Sequence, residues 1–207
     1  VMRFQYISEI RAYWEALRDG REVPFRSEID PRGIEHALEY AFVLERIAPQ
    51  VARFRLAGMH LNDLMGMEVR GMPLTALFTP KSRTEVSDIL QVVFSGPKTV
   101  ELTLRAETGF GKPEMLAKLL ILPLKSDLGD ISRALGCFMA EGPIGRAPRR
   151  FDLMDCVVNP IEIAPQTQRR PLRHPFPDGF AEPPTPYSGS MSTVIRSRGH
   201  LKLVVSH

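Results

Sequence analysis

The stretch YAFVLERIAPQVARFRLAGMHLNDLMGMEVRGMPLTAL, residues 40–77, decides the fold. It reads as two short strands, a one-turn helix and a loop. In the first strand Phe42 and Leu44 share a face. In the second, Ala52, Phe54 and Leu56 share one, with Arg53 and Arg55 on the other. Such alternation marks a half-buried strand, because successive side chains point to opposite faces of a sheet. Pro49 and Gln50 supply the turn, proline pre-setting its backbone angle. Gly58 ends the second strand. Leu61, Leu64 and Met65 then repeat at helical spacing up to Gly66, and Gly71-Met72-Pro73-Leu74 opens the next loop.

Downstream, residues 82–95 predict the longest helix. Val86, Ile89, Leu90, Val93 and Phe94 form its apolar stripe, with Arg83, Glu85, Asp88 and Gln91 facing away. Lys98–Glu107 alternates cleanly as a strand, with Val100, Leu102, Leu104 and Ala106 on one face. Thr108-Gly109-Phe110-Gly111 is a hairpin turn rather than a phosphate loop, which needs its glycines between a strand and a helix. Glu114–Leu124 is apolar on both faces, so it belongs inside the sheet or under cover on both sides. Ser132–Glu141 is the last core strand. Upstream, Ser8 is the expected cap of a helix whose Ile10, Tyr13, Trp14 and Leu17 share one face, stopped at Gly20. Asp30-Pro31 opens a second short helix, with Asp as cap and Pro in the first turn. This pattern predicts an α+β domain with helices on one face of an antiparallel sheet.

The order strand, strand, short helices, long helix, three strands resembles the PAS domain over residues 38–142. The PAS spacing of two glycines flanked by leucines falls on Leu64, Gly66, Gly71 and Leu74. The chain also resembles stand-alone bacterial PAS proteins of about this length, the fifth PAS subfamily. That likeness rests on Tyr13-Trp14-Glu15-Ala16-Leu17-Arg18, Arg53-Phe54-Arg55-Leu56-Ala57-Gly58, Gly66 with Arg70-Gly71, Leu122-Pro123-Leu124, and the ending Arg198-Gly199-His200-Leu201-Lys202-Leu203-Val204. The resemblance implies a five-stranded sheet in the spatial order 2-1-5-4-3. It divides the chain into a helical flank (1–37), a PAS-like domain (38–142) and an irregular, Pro/Arg-rich C-terminal extension (143–207). It also implies a pocket between the sheet and its helices. The side chains expected there are Phe54, His60, Leu64, Leu77, Ile89, Val93, Leu102, Leu104 and Cys137, a lining that suits a small apolar ligand.

Composition narrows the class. The 207 residues are 43% hydrophobic and 25% charged, ordinary for a globular chain. No apolar run is long enough for a membrane span, and the first residues do not read as a secretion signal. With Cys137 and Cys156 in no metal or redox spacing, the expected location is the cytoplasm. The net charge of +3 is uneven: residues 142–207 carry nine Lys/Arg against five Asp/Glu, and ten of the 18 prolines.

Catalytic chemistry is sparse. The five histidines form no HExxH and no ligand pair, and no serine sits in a GxSxG elbow. Asp152-Leu153-Met154-Asp155 with Glu141 reads as solvated loop acids, so the chain is not expected to be an enzyme. Neither haem nor flavin is expected as a cofactor. Haem-binding PAS domains more often take their histidine from the long helix, where residues 82–95 have none, and His60 suits a helix-start role. The light-sensing branch needs a cysteine on the helix after the hairpin, and this chain has none before Cys137. Any ligand's identity stays open.

Two regions point to partners. The stripe Ile10, Tyr13, Trp14 and Leu17 must be buried, either on its own domain or against the same helix of a second copy, making a homodimer. In the extension, Arg146, Arg149 and Arg150 form one basic cluster, and Arg169, Arg170 and Arg173 another. The spacing of Arg169 and Arg173 is similar to the arginine motif of PilZ-type cyclic-di-GMP receptors, but the second half of that motif is missing. Phe176, Phe180 and Tyr187 are scattered among prolines, so nucleic acid is not an expected partner. The ending LKLVVS is apolar enough to dock, as an added strand or on a partner. No kinase, cyclase or helix-turn-helix pattern is visible. The expected function is therefore non-enzymatic regulation through small-molecule or protein-partner binding and protein–protein contact. The alternatives are a small-molecule binder without signalling output, and nucleotide or nucleic-acid binding through the arginine tail.

Overall fold

The computed structural model describes residues 4–96 and 98–162. Its strands are β1 (Ala41–Ala48), β2 (Val51–Ala57), β3 (Lys98–Ala106), β4 (Leu116–Lys125), β5 (Ile131–Glu141) and β6 (Phe151–Pro160). Its helices are α1 (Gln5–Arg18), α2 (Met59–Met65) and α3 (Pro80–Ser95), with 3-10 turns at Arg26–Glu28, Pro31–Ala37 and Leu74–Leu77. All strand pairs are antiparallel, in the order β2-β1-β5-β4-β3-β6. The expected order 2-1-5-4-3 is present, and a sixth strand extends it beyond β3.

That sixth strand corrects the reading of residues 151–160 as irregular. The step from Thr103↔Asp155 to Leu104↔Leu153 leaves Met154 as an extra residue in β6. Phe151 and Leu153 therefore point into the core on one phase and Cys156 on the other, so no single alternation runs through the segment. The strand is tied to the start of α3 by Thr79 N–H to Phe151 O (3.0 Å) and Leu153 N–H to Ser82 Oγ (3.0 Å). Asp152 is not a loose loop acid: it accepts from the Thr79 hydroxyl and pairs with Lys81 Nζ at 2.9 Å. Burial pushes its carboxyl up, but those two partners more than offset this and hold it below the ordinary range.

Helices cover both faces of the sheet, not one. On the inner face, α2, the Leu74–Leu77 turn and α3 bury Leu64, Leu77, Ile89 and Val93 against Phe54, Leu102, Leu104 and Ile121. On the outer face, α1 and the Pro31–Ala37 turn bury Ile10, Trp14 and Ile34 against Val43, Leu120, Leu122 and Leu135. β4 feeds both cores, as its two apolar faces require. Ser8 lies inside α1 rather than capping it; the cap position is Phe4. Asp30 does cap the Pro31–Ala37 turn, accepting from Arg32 N–H at 3.0 Å.

Of the two covers open to the stripe, the chain's own sheet takes Ile10 and Trp14, while Tyr13 and Leu17 stay partly exposed. Ile10 and Trp14 are fully buried, and Trp14 Nε1–H donates to Pro123 O at 2.9 Å. Tyr13 lies against Gly33, where an added Cβ would come within 2.2 Å of its ring. Arg11 reaches Glu101 on β3 at 2.6 Å. A fourteen-residue helix is marginal alone, and here the outer sheet face supplies its cover.

Candidate functional site

Phe54, Leu64, Leu77, Ile89, Val93, Leu102 and Leu104 do meet on the inner face. Each is at most 8% exposed, and they pack into one apolar core with Phe42 and Phe138. Phe42 is set by a close approach: its ring lies over Gly136 of β5, where a Cβ would stand 2.0 Å from the ring. Gly66 caps α2 at φ 69° and Gly71 turns the following loop at φ 83°, conformations that glycine adopts without strain. Gly71 N–H then donates to Phe54 O and Phe54 N–H to Met72 O, lacing that loop along the outer edge of β2.

Two residues expected with this group stand apart from it. Cys137 belongs to the outer core, because β5 alternates and Phe138 takes the inner side. Burial, with a smaller contribution from Glu9, pushes its thiol up to about 12, so it is packing and not a nucleophile at neutral pH. His60 sits in the first turn of α2 at the ends of the strands. Its Nε2 accepts the Ala140 N–H at 3.1 Å, which occupies the lone pair that could have bound iron. Burial lowers its pKa, against the opposing charges of Glu39 and Asp63, and so keeps the ring neutral. Tyr40 lies 4.9 Å from the His60 ring, and Tyr6 of α1 stacks on Tyr40 at 5.0 Å. An aromatic chain thus links α2 on the inner face to α1 on the outer.

Two adjoining openings lie on the outer face, and sequence reasoning missed them. β1 and β2 carry a bulge: Val43 pairs with Leu56 and Leu44 with Phe54, leaving Arg55 extra. The bulge reverses the phase of β2, so Leu56 points outward beside Val43 instead of inward with Phe54, and is 50% exposed. There it lines an apolar recess of about 160 Å³ with Ile29, Ile34, Val43 and Leu135. A hollow of about 380 Å³ adjoins it and shares Arg26, Val43 and Leu56; Ser27, Arg55, Arg70, Arg133 and Asp127 complete its lining. Beside the hollow, Glu45 pairs with Arg53 (2.9 Å), Arg133 (2.8 Å) and Arg55 (3.5 Å). The Arg53 hydrogen bond outweighs burial and, with the neighbouring guanidiniums, holds the Glu45 carboxyl below its ordinary range.

The basic residues of 146–150 divide. Arg149 is fully buried and donates to the carbonyls of Ile144 (2.5 Å), Pro113 (2.6 Å) and Glu107 (3.2 Å), so it staples the β5–β6 connection and cannot grip a phosphate. Arg169, Arg170 and Arg173 lie outside the described residues, as does the ending LKLVVS. Among the described residues, no helix is long and apolar enough to cross a membrane.

The family model of the fifth PAS subfamily, described as a PAS domain, matches residues 2–139, from the start of α1 to near the end of β5. The chain belongs to the PAS family. No curated protein matches it. PAS domains are in general sensory and regulatory modules that bind ligands and mediate protein contacts. The match includes α1, so the helix on the outer face is part of the family's pattern here, whereas β6 falls outside it.

Proposed function

We propose that this PAS protein is a non-enzymatic, cytoplasmic regulator that converts binding of a small molecule or a protein partner into altered protein–protein contact. The observation that carries the reading is the chain Tyr6–Tyr40–His60, with His60 bonded to Ala140. It joins the helix over the inner core to the helix over the outer one. A shift of α2 moves the His60 ring, and the stacked tyrosines pass that shift to α1. The side-chain chemistry agrees with a non-catalytic role: burial holds the Cys137 thiol protonated, and His60 spends its lone pair on a structural bond.

The test begins with native mass spectrometry and an absorption spectrum of freshly purified protein, to find what it carries. Hydrogen exchange then compares the chain with and without the bound molecule or partner. The regulatory reading expects changed protection in both α2 and α1, and loss of the α1 change in Tyr40→Leu. Changes confined to the contact residues would make it a binding protein without output. A visible band from stoichiometric haem or flavin would make it a chromophore sensor instead.

A further inference from the structure

We propose that the outer-face groove between the Arg26–Pro31 segment and the bulged β1–β2 hairpin binds a soluble small molecule with a phosphate-type head and a short apolar tail. The head lies among Arg26, Arg55, Arg70 and Arg133, and the tail enters the recess beside Val43 and Leu56. This goes beyond the regulatory role and does not depend on it, since the groove lies on the face opposite the inner core.

The charge count comes first. The four guanidiniums come from four separate parts of the fold: the Arg26–Glu28 turn, β2, the loop after α2, and β5. Asp127 is the one carboxylate in the lining, and Glu45 stands beside it. Four positive charges against those two negative ones leave an excess of at least two, because Glu45 also pairs with a fifth cation, Arg53. A phosphomonoester carries about −1.5 to −2 at neutral pH and so matches that excess. A single carboxylate does not.

Donor availability comes second. Glu45 holds Arg133 and Arg55 through only part of their donor sets, fixing their orientation at little cost in free N–H groups. Among the described residues, the side chains of Arg26 and Arg70 have no hydrogen-bond or ion-pair partner. Planar guanidiniums with unused N–H groups are suited to bidentate contact with phosphate oxygens.

The apolar half comes third. The recess adjoins the hollow, sharing Arg26, Val43 and Leu56 with it, and it is walled by Ile29, Ile34 and Leu135. Leu56 reaches this wall only because Arg55 is a bulge residue, so one backbone feature delivers both an arginine and an apolar contact to the groove. The groove is concave. A single molecule can enter it, whereas a flat bilayer would meet only its rim.

The test uses the full chain, with calorimetry in low-salt buffer. n-Hexyl phosphate is the probe; inorganic phosphate, 1-hexanol and phosphatidylglycerol vesicles are the comparisons. Hexyl phosphate is expected to bind at least about tenfold more tightly than inorganic phosphate or hexanol, a factor that roughly 1.4 kcal/mol supplies. Its affinity should fall as salt rises. The double variant Arg26→Ala/Arg70→Ala should lose at least about tenfold. Leu56→Ser should reduce hexyl phosphate to the level of inorganic phosphate. Among the described residues Arg26 and Arg70 have no side-chain partner, and Leu56 is half exposed, so the variants keep the fold, which circular dichroism checks. Equal affinity for hexyl and inorganic phosphate overturns the proposal, as does an unchanged double variant or no binding at all. Tighter binding to the vesicles than to hexyl phosphate also overturns it, by making the groove a lipid-surface contact.

Discussion

The two faces of the sheet use the same strands differently. On the inner face, Phe42, Leu44, Phe54 and Leu104 meet α2 and α3 in a closed apolar core. On the outer face, α1 covers β4 and β5 as fully, but the β1–β2 end carries an apolar recess and a ring of arginines. The face that alternation marks out as the pocket wall is the one the helices have packed. The open surface lies where a bulge interrupts that alternation. Apolar periodicity therefore locates the core, and the break in periodicity locates the groove.

The largest expected effect concerns α1 on the outer face. Trp14→Ala removes a fully buried indole and its bond to Pro123 O, and should destabilise the chain by about 3–5 kcal/mol. Urea unfolding measures this, with light scattering alongside. If α1 instead seats a second copy, the variant will halve the particle mass from about twice 23.3 kDa while monomer stability barely moves.

Next is Val93→Ala on the inner face. Val93 is fully buried in α3, so the lost methyl groups and the space they leave should cost about 1–3 kcal/mol. An unchanged thermal midpoint would mean that space already exists beside Val93, and the two faces would then not differ in the way described.

Much of this contrast was readable from residues. The stripe Val86, Ile89, Leu90, Val93 and Phe94 places α3, and the double apolar character of residues 114–124 places β4 between two covers. The turn at Pro49-Gln50 and the glycines 66 and 71 fall where expected. What resisted reading has one physical cause. A bulge adds a residue without changing composition, so Arg55 moves Leu56 to the opposite face and Met154 hides β6. The groove resisted for a second reason: Arg26, Arg55, Arg70 and Arg133 are far apart in the chain, and only tertiary pairing gathers them. One signal was available. Arg53-Phe54-Arg55-Leu56 places two arginines around the hairpin's own glutamate, Glu45, and such a set seldom stays dispersed.

A smaller effect tests the link between the faces. The folded His60 ring titrates below the unfolded value of about 6.5, because burial disfavours its charged form. Below about pH 6.5 the unfolded chain takes up a proton that the folded chain refuses. Stability from this group is therefore full above pH 6.5 and declines as the pH falls from there toward the folded pKa. His60→Gln keeps an acceptor for the Ala140 amide, should cost about 1 kcal/mol at pH 8, and should remove that part of the decline. Urea unfolding at pH 8, 6.5 and 5.5 compares the two proteins, so that the carboxylates common to both cancel. A wild type and variant that run parallel would mean His60 is solvated and the link to Ala140 is not made.

The smallest expected effect, at Leu56, is the sharpest test of the bulge. Phe54 and Leu56 are two residues apart, and in a regular strand they would share an environment. Here Phe54 is 1% exposed in the inner core and Leu56 is 50% exposed beside the recess. Phe54→Ala should cost about 3–5 kcal/mol, in line with other buried aromatics. Leu56→Ala should fall within about 0.5 kcal/mol of wild type, as surface substitutions do. The ratio of the two matters more than either value, since errors in the unfolded reference affect both alike. Equal, large costs would mean that β2 runs without a bulge, with Leu56 inside and Arg55 on the regular outward phase. The recess would then lose its exposed wall, and the arginine hollow would stand without an apolar neighbour. A small cost at Leu56 keeps that wall available for a ligand, because a side chain that contributes little to folding can be covered without disturbing the fold.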